Sequence, residues 1–345
     1  MLVCNTASPS ASRHGLVFFS LGTLMTAYTK PHLSFADQVR LLKSRGLIID
    51  DEAEAERLLS IIGYYRLSGY WYTFRRQHTG RPRGDDFVEG TTFRTVVRLY
   101  DADRRLKLSV LDAIERIEIA VRVLIGFTLG RHGAYAHLDT SNLDGRFVHS
   151  TGGRASTYDR WLRKVLTAQT RSSEDFVQHF QHKYDGRLPV WVMTEILDFG
   201  SLSYLFQGMK VSDRNEIAAR LDILDPRGDG NGAALANWLR VLNYIRNVCA
   251  HHSRLWNRNL VDQIAPSQLR AIPDLRHLSD RGVTHFRIYS TLCIIGFLLA
   301  RIGQRPEWVA QIQALVSEEF PACGRGLHEL GFAAGWSAER PWVGL

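Results

Sequence analysis

Apolar residues recur every three or four positions along most of the chain, a spacing that predicts helices almost everywhere. No segment has the alternating pattern that indicates a strand. The fold class that follows is all-α, a bundle of many helices. In the second half of the chain, helices are predicted at 155–170, 173–184, 190–208, 212–222, 234–252, 284–302 and 306–318.

Two short helices are predicted near the start, and capping residues mark where they begin and end. Ser34 precedes the amphipathic segment FADQVRLLKSR and is predicted to be its N-cap, and Gly46 follows its last turn. Asp50 and Asp51 open the second helix, which Gly63 stops. Both helices therefore have sequence signals that predict where they begin and where they end.

The longest periodic pattern runs from 92 to about 130 and carries a continuous apolar stripe. It predicts either one helix of up to about 57 Å, at 1.5 Å per residue, or two helices with a bend. The clearest break in the chain is DPRGDGNGAA at 225–234, which is interpreted as a flexible loop before a helix. Its glycines approach a dinucleotide-binding spacing, but no strand precedes them, so that site is not predicted.

The charge balance predicts that this helical bundle has a polyanionic partner. The chain carries 43 Lys and Arg against 35 Asp and Glu, a formal charge of +8 with a pI near 9.4. Most of the cations are arginines, whose planar forks suit phosphate. Nucleic acid is therefore the expected partner.

Cysteine usage and motifs argue against a metal or cofactor. Cys4, Cys249, Cys293 and Cys323 lie far apart and form no CxxC pair, so neither a zinc site nor a disulfide framework is predicted. The chain also lacks Walker, GxSxG and HExxH motifs. We expect no cofactor, no metal and a cytoplasmic location.

The first 24 residues contain a basic flank and a short apolar run, RHGLVFFSLGTLM, like the centre of a secretory signal. No convincing cleavage site follows, and MTAYTKPHLS from Met25 has the character of a natural start of a coding region. An extended start is therefore favoured over a signal. The apolar segment LCIIGFLLA is too short to span a bilayer, so no membrane association is expected.

The segment YIRNVCAHHSRLWNRNL, at 244–260, concentrates charge and imidazole at the end of an apolar helical pattern. On a helix, Asn247 and His251 are about 40° apart, and Arg246 is about 140° from His251 but long enough to reach across. An arginine can hold a phosphate, a histidine can move a proton at neutral pH, and an amide can orient either. Together they predict a site for a scissile phosphate.

Similar Arg-to-His spacings occur elsewhere in the chain, so spacing alone does not distinguish a catalytic pair from a polar helix end. Four sequence blocks provide information beyond this spacing. They are IIGYYRLSGYWYTF at 61–74, DRRLKLSVLDAIERIEIAVR at 103–122, LPVWVMTEILDFGSLSYLF at 188–206 and RNVCAHHSRLWN at 246–257. In this order the blocks resemble the Abi family of bacterial abortive-infection proteins. The resemblance covers most of the chain from Tyr28 to Arg301.

The Abi family looks like a branch of the HEPN superfamily, whose active members are commonly metal-independent endoribonucleases. The resemblance implies a HEPN-like bundle with additional N-terminal helices: an extended start or leader at 1–27, an Abi-like HEPN domain at 28–302, and a C-terminal helix and tail at 303–345. It implies catalytic roles for Arg246, Asn247 and His251, with His252 as the competing histidine. It also implies a homodimer in which two such sites meet at the interface.

Further residues are assigned auxiliary or binding roles. Glu118 lies four residues before Arg122 in the long helix, which predicts an intrahelical ion pair. The alternative, implied by the resemblance, is that either residue reaches the site from that helix. Aromatic residues at 64–74 are expected to pack mostly in the core, and arginines nearby to bind RNA. The arginines predicted to bind RNA are Arg75, Arg76, Arg81, Arg83, Arg254 and Arg258.

The implied function is phage defence through toxin-like, regulated RNA cleavage. A histidine would take the proton of a ribose 2′-OH, and arginines would stabilise the charge that builds on phosphorus oxygens. RNA is the expected partner, with an antitoxin or a regulatory RNA as a further one. Two alternatives remain open: a non-catalytic RNA-binding or sensor module on the same scaffold, and a membrane-tethered or exported helical protein that requires residues 1–24.

Overall fold

The computed structural model describes residues 31–343, apart from 79, 81, 151 and 281. In this part of the chain the fold is all-α, as predicted, and four isolated bridges are the only β-type pairing. The predicted start segment and Arg81 lie outside the described residues. The α-helices are α1 (Phe35–Ser44), α2 (Glu52–Ile62), α3 (Tyr64–Trp71), α4 (Phe93–Gly130), α5 (Gly145–Val148), α6 (Thr157–Arg171), α7 (Asp175–Lys183), α8 (Val190–Met193), α9 (Phe199–Gly208), α10 (Val211–Arg220), α11 (Gly232–Ala250), α12 (Tyr289–Arg301) and α13 (Trp308–Ala322). Short 3-10 helices occupy Tyr72–Phe74, Thr140–Asn142, Thr194–Ile196, Pro266–Gln268, Pro273–Ser279, Leu327–Leu330 and Trp336–Ala338.

Local capping signals place the first two helices as predicted. The side chains of Ser34 and Asp51 each accept a backbone N–H from the first turn of the following helix. Gly46 and Gly63 follow the two helices with φ of +86° and +92°, a conformation that glycine adopts without steric cost. The ends of α1 and α2 therefore follow from sequence alone.

α4 is the central helix of the bundle. It runs unbroken through 38 residues, so the long periodic pattern forms one helix rather than two. The side-chain oxygen of Thr92 caps its start by accepting the N–H of Thr95 at 3.0 Å. Buried side chains recur along its whole length because α3, α8, α11, α12 and α13 all pack against it.

The sequence predicts one helix where the structure has α8 and α9, and that prediction is wrong. The guanidinium of Arg122, from α4, donates to the carbonyl oxygens of Thr194 (2.6 Å), Glu195 (2.7 Å) and Leu197 (3.1 Å). Arg122 thereby stabilises carbonyls at the point where the chain leaves regular helix, although the Thr194 carbonyl also accepts the N–H of Leu197 at 3.3 Å. Asp198 then caps α9 by accepting the N–H of Ser201 at 2.6 Å.

The glycine-rich segment before α11 makes a close backbone contact with α10. At Gly230 the backbone lies so close to α10 that a Cβ would stand 1.8 Å from the carbonyl oxygen of Asn215. Only glycine fits at that position. Asn231 then caps α11 by accepting the N–H of Ala234 at 3.0 Å. Helices α10 and α11 are thereby packed directly against each other.

One continuous cluster of buried side chains extends from α1 to the C-terminal segment, where Trp342 belongs to it. α12 is buried nearly all round and begins at Tyr289, later than the predicted 284. Of the helices in the described part of the chain, none combines the length and the apolar character needed to cross a membrane.

α11 ends in a Schellman motif built on two adjacent histidines. His251 is the C-cap, and His252 has a left-handed backbone with φ of +56°. The N–H of His252 bonds the carbonyl of Cys249, and the N–H of Ser253 bonds that of Val248, each at 3.0 Å. The backbone at 252 therefore has the conformation that glycine favours at the end of a helix.

A buried carboxylate joins α3, α4 and the segment that follows α11. Asp103 of α4 is fully buried and accepts the hydroxyl of Tyr70 and the backbone N–H of Trp256, both at 2.7 Å. It also accepts the N–H of Leu255 at 3.3 Å, and the ammonium of Lys107 lies 3.4 Å away. Burial and the charge of Asp103 raise the pKa of Tyr70, so this tyrosine stays a hydrogen-bond donor. Asp103 thus fixes the path of the chain after α11.

Replacing Asp103 with alanine is expected to lower the free energy of unfolding by about 3–5 kcal/mol, because Lys107 is left buried without its counter-charge. Urea denaturation followed by circular dichroism measures this loss. Asp101→Ala, on the exposed side of α4, is the control and should change stability by less than about 0.5 kcal/mol. Similar losses in both variants would contradict the role given to Asp103.

His252→Gly is expected to stabilise the protein by about 1 kcal/mol, because glycine adopts the left-handed backbone at 252 without the steric cost of a Cβ. The midpoint of thermal unfolding should rise. The matched control is His251→Gly, at a position with φ of −85°, which should show no such rise. An unchanged or lower midpoint for His252→Gly would rule out this account of the helix end.

Candidate active site

The last turn of α11 brings the three predicted catalytic residues to one end of the helix. Arg246 and Asn247 are half-buried, and the Arg246 guanidinium donates to the Asn247 side-chain oxygen at 3.3 Å. His251 is exposed, and its backbone N–H bonds the Asn247 carbonyl at 3.0 Å. No hydrogen bond joins the side chains of Arg246 and His251 in the described chain, so the arginine and the imidazole both remain able to meet a ligand.

Glu118 of α4 provides a carboxylate close enough to Arg246 for their charges to interact. It bonds Arg122 at 2.7 Å, which is the intrahelical ion pair that the sequence predicts. Burial raises the pKa of Glu118, with a smaller contribution from the charge of Asp198, and the two arginines oppose that rise. The predicted site therefore has a half-buried acidic residue next to its arginine.

Arg122 has no donor left on its terminal nitrogens. Each of these two nitrogens carries two N–H bonds, and all four are used by Glu118 and by three backbone carbonyls of the turn between α8 and α9. Its side chain is also largely buried, with 10% of its surface exposed. Arg122 therefore holds Glu118 and this turn in place, and it is not oriented toward an incoming ligand.

The competing histidine, His252, has a different environment from His251. Its ring is exposed, but its backbone is fixed by the left-handed turn and by Arg66, which donates to the His252 carbonyl at 2.6 Å. Arg66 belongs to α3, so this bond ties the end of α11 to the N-terminal helices. The structure gives His252 a backbone role and leaves both rings accessible.

Two arginines beyond α11, predicted to bind RNA, have internal partners. Arg254 donates to the Gly69 carbonyl and lies over the Trp256 ring at 5.7 Å. Burial lowers the pKa of Arg254 below that of a free guanidinium, although the group stays charged. Arg258 donates to the Tyr244 hydroxyl at 3.1 Å. Both arginines thus brace the segment that Asp103 also holds.

The arginines of the loop after α3 are likewise engaged within the loop. Arg75 pairs with Asp85 at 2.9 Å, and Arg83 donates to the Arg75 carbonyl at 2.8 Å. Arg76, although exposed, donates to the Phe87 carbonyl at 3.1 Å. Their first role in the folded chain is to hold this loop together.

The aromatic residues of the same segment pack mostly into the core, as expected. Tyr65 and Tyr72 are the exceptions, with 91% and 47% of their surface exposed. Tyr70 stacks on Trp256 with ring centroids 6.3 Å apart. The rings that pack in or against the core are Tyr64, Tyr70, Trp71 and Phe74.

Sequence reasoning missed Asp103, Lys107 and Asn243. Asp103 and Lys107 stand four residues apart inside the apolar stripe of α4, which was a readable signal of a buried ion pair. Asn243 lies one turn before Asn247 on α11, is half-buried, and has no hydrogen-bond partner among the described side chains. A Cβ at Gly200 would lie 3.6 Å from its amide, so Asn243 borders the start of α9.

Cys249, in the last turn of α11, does not supply a nucleophile at neutral pH. The thiol is buried and free, and burial raises its pKa to about 12. In the described part of the chain, no three His, Cys, Asp or Glu side chains cluster closely enough to hold a metal ion. The acid–base groups that the site offers are the His251 imidazole and the Glu118 carboxylate.

A family model described as Abi-like protein matches residues 57–257, more than half of the 345-residue chain. The match includes α4, α11 and the candidate catalytic residues. No curated protein and no solved structure matches the chain. The predicted Abi resemblance is thereby confirmed, whereas its HEPN part stays a prediction. The chain belongs to the family of Abi-like proteins.

Proposed function

We propose that this protein is a HEPN-type, metal-independent endoribonuclease that acts in abortive infection. Membership in the Abi-like family suggests phage defence as its role. The observation that carries the proposal is that Arg246 and the exposed His251 lie at the end of α11, with Glu118 close enough to Arg246 for their charges to interact. In RNA cleavage by the 2′-hydroxyl, an imidazole can transfer the proton and a cation can stabilise the developing negative charge.

In the proposed reaction, His251 takes the proton from a ribose 2′-OH, and the 2′-oxygen attacks the adjacent phosphorus. Arg246 stabilises the negative charge that develops on the non-bridging oxygens. The bond from phosphorus to the 5′-oxygen then breaks, and that oxygen leaves with a proton from a second imidazole. The products are a 2′,3′-cyclic phosphate and a 5′-OH, so DNA, which lacks the 2′-OH, is not cut.

Glu118 acts through Arg246 rather than on the substrate. Its carboxylate is held by Arg122, and its charge favours a guanidinium position near α4. Asn247, bonded to Arg246 at 3.3 Å, restrains the same group from the other side. Two fixed neighbours keep the arginine oriented before a phosphate binds, which lowers the entropy lost on binding.

A homodimer supplies the second imidazole. Next to Glu118, the outer face of α4 carries Ile119, Val123 and Phe127, each one turn apart and each at least 51% exposed. Trp191 of α8 packs against this helix and is also exposed. An exposed apolar stripe of this kind favours a protein interface, and we infer a two-fold axis there through which a second copy contributes its His251.

The regulation of such an activity falls to a partner, either an antitoxin or a regulatory RNA. Free cleavage of cellular RNA would arrest the host, so the resting protein must be restrained until infection.

The protein, incubated in EDTA with end-labelled RNAs and matching DNAs, is expected to cut RNA only and to leave cyclic phosphate ends. His251→Ala should lower the cleavage rate at least about 100-fold, since general acid–base catalysis contributes that much or more. Arg246→Ala should cause a similar loss, because the negative charge that develops on the non-bridging phosphate oxygens is no longer stabilised. Product ends are identified by their sensitivity to acid and phosphatase.

Two matched variants serve as controls. Arg240→Ala removes an exposed arginine of α11 whose nearest charge partner is Asp262, and His252→Gly removes the neighbouring imidazole. Both should retain most of the activity. Folded His251→Ala and Arg246→Ala proteins that cut as fast as the parent would eliminate the proposed enzyme; salt-sensitive RNA binding without cutting would favour a binding or sensor module.

The double variant Val123→Asp/Phe127→Asp is expected to convert a dimer into a monomer, because two carboxylates would be buried at an apolar interface. Light scattering after size-exclusion chromatography measures the molar mass of the variant. The rate of RNA cleavage should fall together with the loss of the dimer. Ile61→Asp/Val261→Asp changes two exposed apolar residues away from α4 and should remain dimeric. A parent that is monomeric at all concentrations while cutting RNA would refute the interface.

A further inference from the structure

An exposed basic surface lies on α6, apart from the loop after α3. Arg163, Lys164 and Arg171 are exposed on this helix, and none of them pairs with a carboxylate at salt-bridge distance in the described chain. Arg163 donates a weak bond to the Asp159 carbonyl at 3.3 Å, and its charge also interacts with the exposed carboxylate of Asp159. These three cations are therefore free to bind an anion, unlike the braced arginines of the 75–83 loop.

The three cations line one cleft, which we call the α6 cleft. It has a volume of about 420 Å³ and lies between α6 and residues 196–201, with Asp198 as its only acidic side chain. That carboxylate already accepts the N–H of Ser201 as the cap of α9. From Arg163 to Arg171 the helix rises about 12 Å, a length that spans more than one phosphate of a strand.

The adjoining hollow sets the limit of this positive surface. It shares Ala168, Arg171 and Ile196 with the α6 cleft but contains Glu174 and Glu195. Phosphates are repelled by these two carboxylates, so a bound strand is directed along the basic face of α6 rather than into the hollow. The charges therefore confine anion binding to the side of the cleft that α6 forms.

The end of the α6 cleft near α9 touches the candidate active site. Asp198 interacts electrostatically with Glu118, and Gly200 lies directly against Asn243 of α11. Asn243 stands one turn before Arg246 and Asn247, and its amide has no hydrogen-bond partner among the described side chains. A strand that leaves the cleft at Gly200 therefore meets an unpartnered amide and then the Arg246 guanidinium.

We propose that the α6 cleft binds the backbone of a single-stranded RNA, with phosphates on Arg163, Lys164 and Arg171, and delivers it past Asn243 to Arg246. A volume of about 420 Å³ accommodates groups of nucleotide size and is too small for a duplex. This inference rests on the proposed function for the identity of the anion. The cleft itself is defined by charge and geometry that do not depend on cleavage.

The test uses the full-length His251→Ala protein, so that RNA stays intact, and measures binding of a fluorescein-labelled 20-nucleotide RNA by anisotropy at several salt concentrations. Adding Arg163→Glu, Lys164→Glu and Arg171→Glu should weaken binding at least tenfold. It should also reduce the slope of log affinity against log salt by about 2, as expected for three lost phosphate contacts. A duplex of the same sequence should bind more weakly than the single strand.

The control triple variant, Arg227→Glu, Arg270→Glu and Arg276→Glu, makes the same change in net charge at exposed arginines of other loops and 3-10 segments. It should bind nearly as the parent does. Equal binding by the two triple variants overturns the α6 cleft, as does preference for the duplex. If circular dichroism shows that the three glutamate substitutions disturb folding, the three corresponding glutamine substitutions replace them. The slope of log affinity against log salt should then fall by the same amount.

Cleavage by the protein with His251 intact separates this inference from the proposed enzyme. Cutting by the parent, together with equal binding by both triple variants, overturns the cleft and leaves the enzyme. Selective loss of binding in the α6 variant, without cutting by the parent, supports the cleft and removes the enzyme. Absence of both binding and cutting overturns both.

Discussion

The buried carboxylate of Asp103 is the interaction on which the arrangement around α11 depends. It lies at the centre of the bundle, where an isolated charge would be strongly unfavourable, and it is stabilised by Lys107, by the Tyr70 hydroxyl and by two backbone N–H groups. Those N–H groups belong to the segment that leaves α11. The direction in which the chain leaves the candidate site is therefore set by electrostatics inside the core, and apolar packing alone would not specify it.

Elsewhere in the bundle, arginines act as structural braces. Arg66 holds the carbonyl of His252, Arg254 holds that of Gly69, and Arg122 holds three carbonyls between α8 and α9. Each bridges elements far apart in sequence by donating to backbone carbonyl oxygens. An excess of arginine in this protein thus has two uses: it organises the irregular segments, and on α6 it leaves a charged surface exposed.

The parts of the fold that sequence could predict are those with local causes. The period of α4 and the caps at Ser34 and Asp51 depend on neighbours within one or two turns, so the sequence contains all that is needed. The break between α8 and α9 depends on Arg122, a residue about seventy positions earlier, and no local pattern reveals it. For the same reason, Arg75 and Arg163 look alike in sequence, although one is paired and the other is not. The Glu118–Arg122 pair was predictable because its residues stand four apart on one helix, whereas the bonds from Arg122 to the turn before α9 were not.

The Schellman motif at the end of α11 forms without any bond from the side chain at position 251. The bonds that close the helix there are made by backbone groups, and the His251 ring itself contributes nothing to them. One codon change can therefore remove the imidazole and leave a folded protein of normal abundance. If His251 is catalytic as proposed, an inactive allele can therefore arise in a single step without the burden of a misfolded chain.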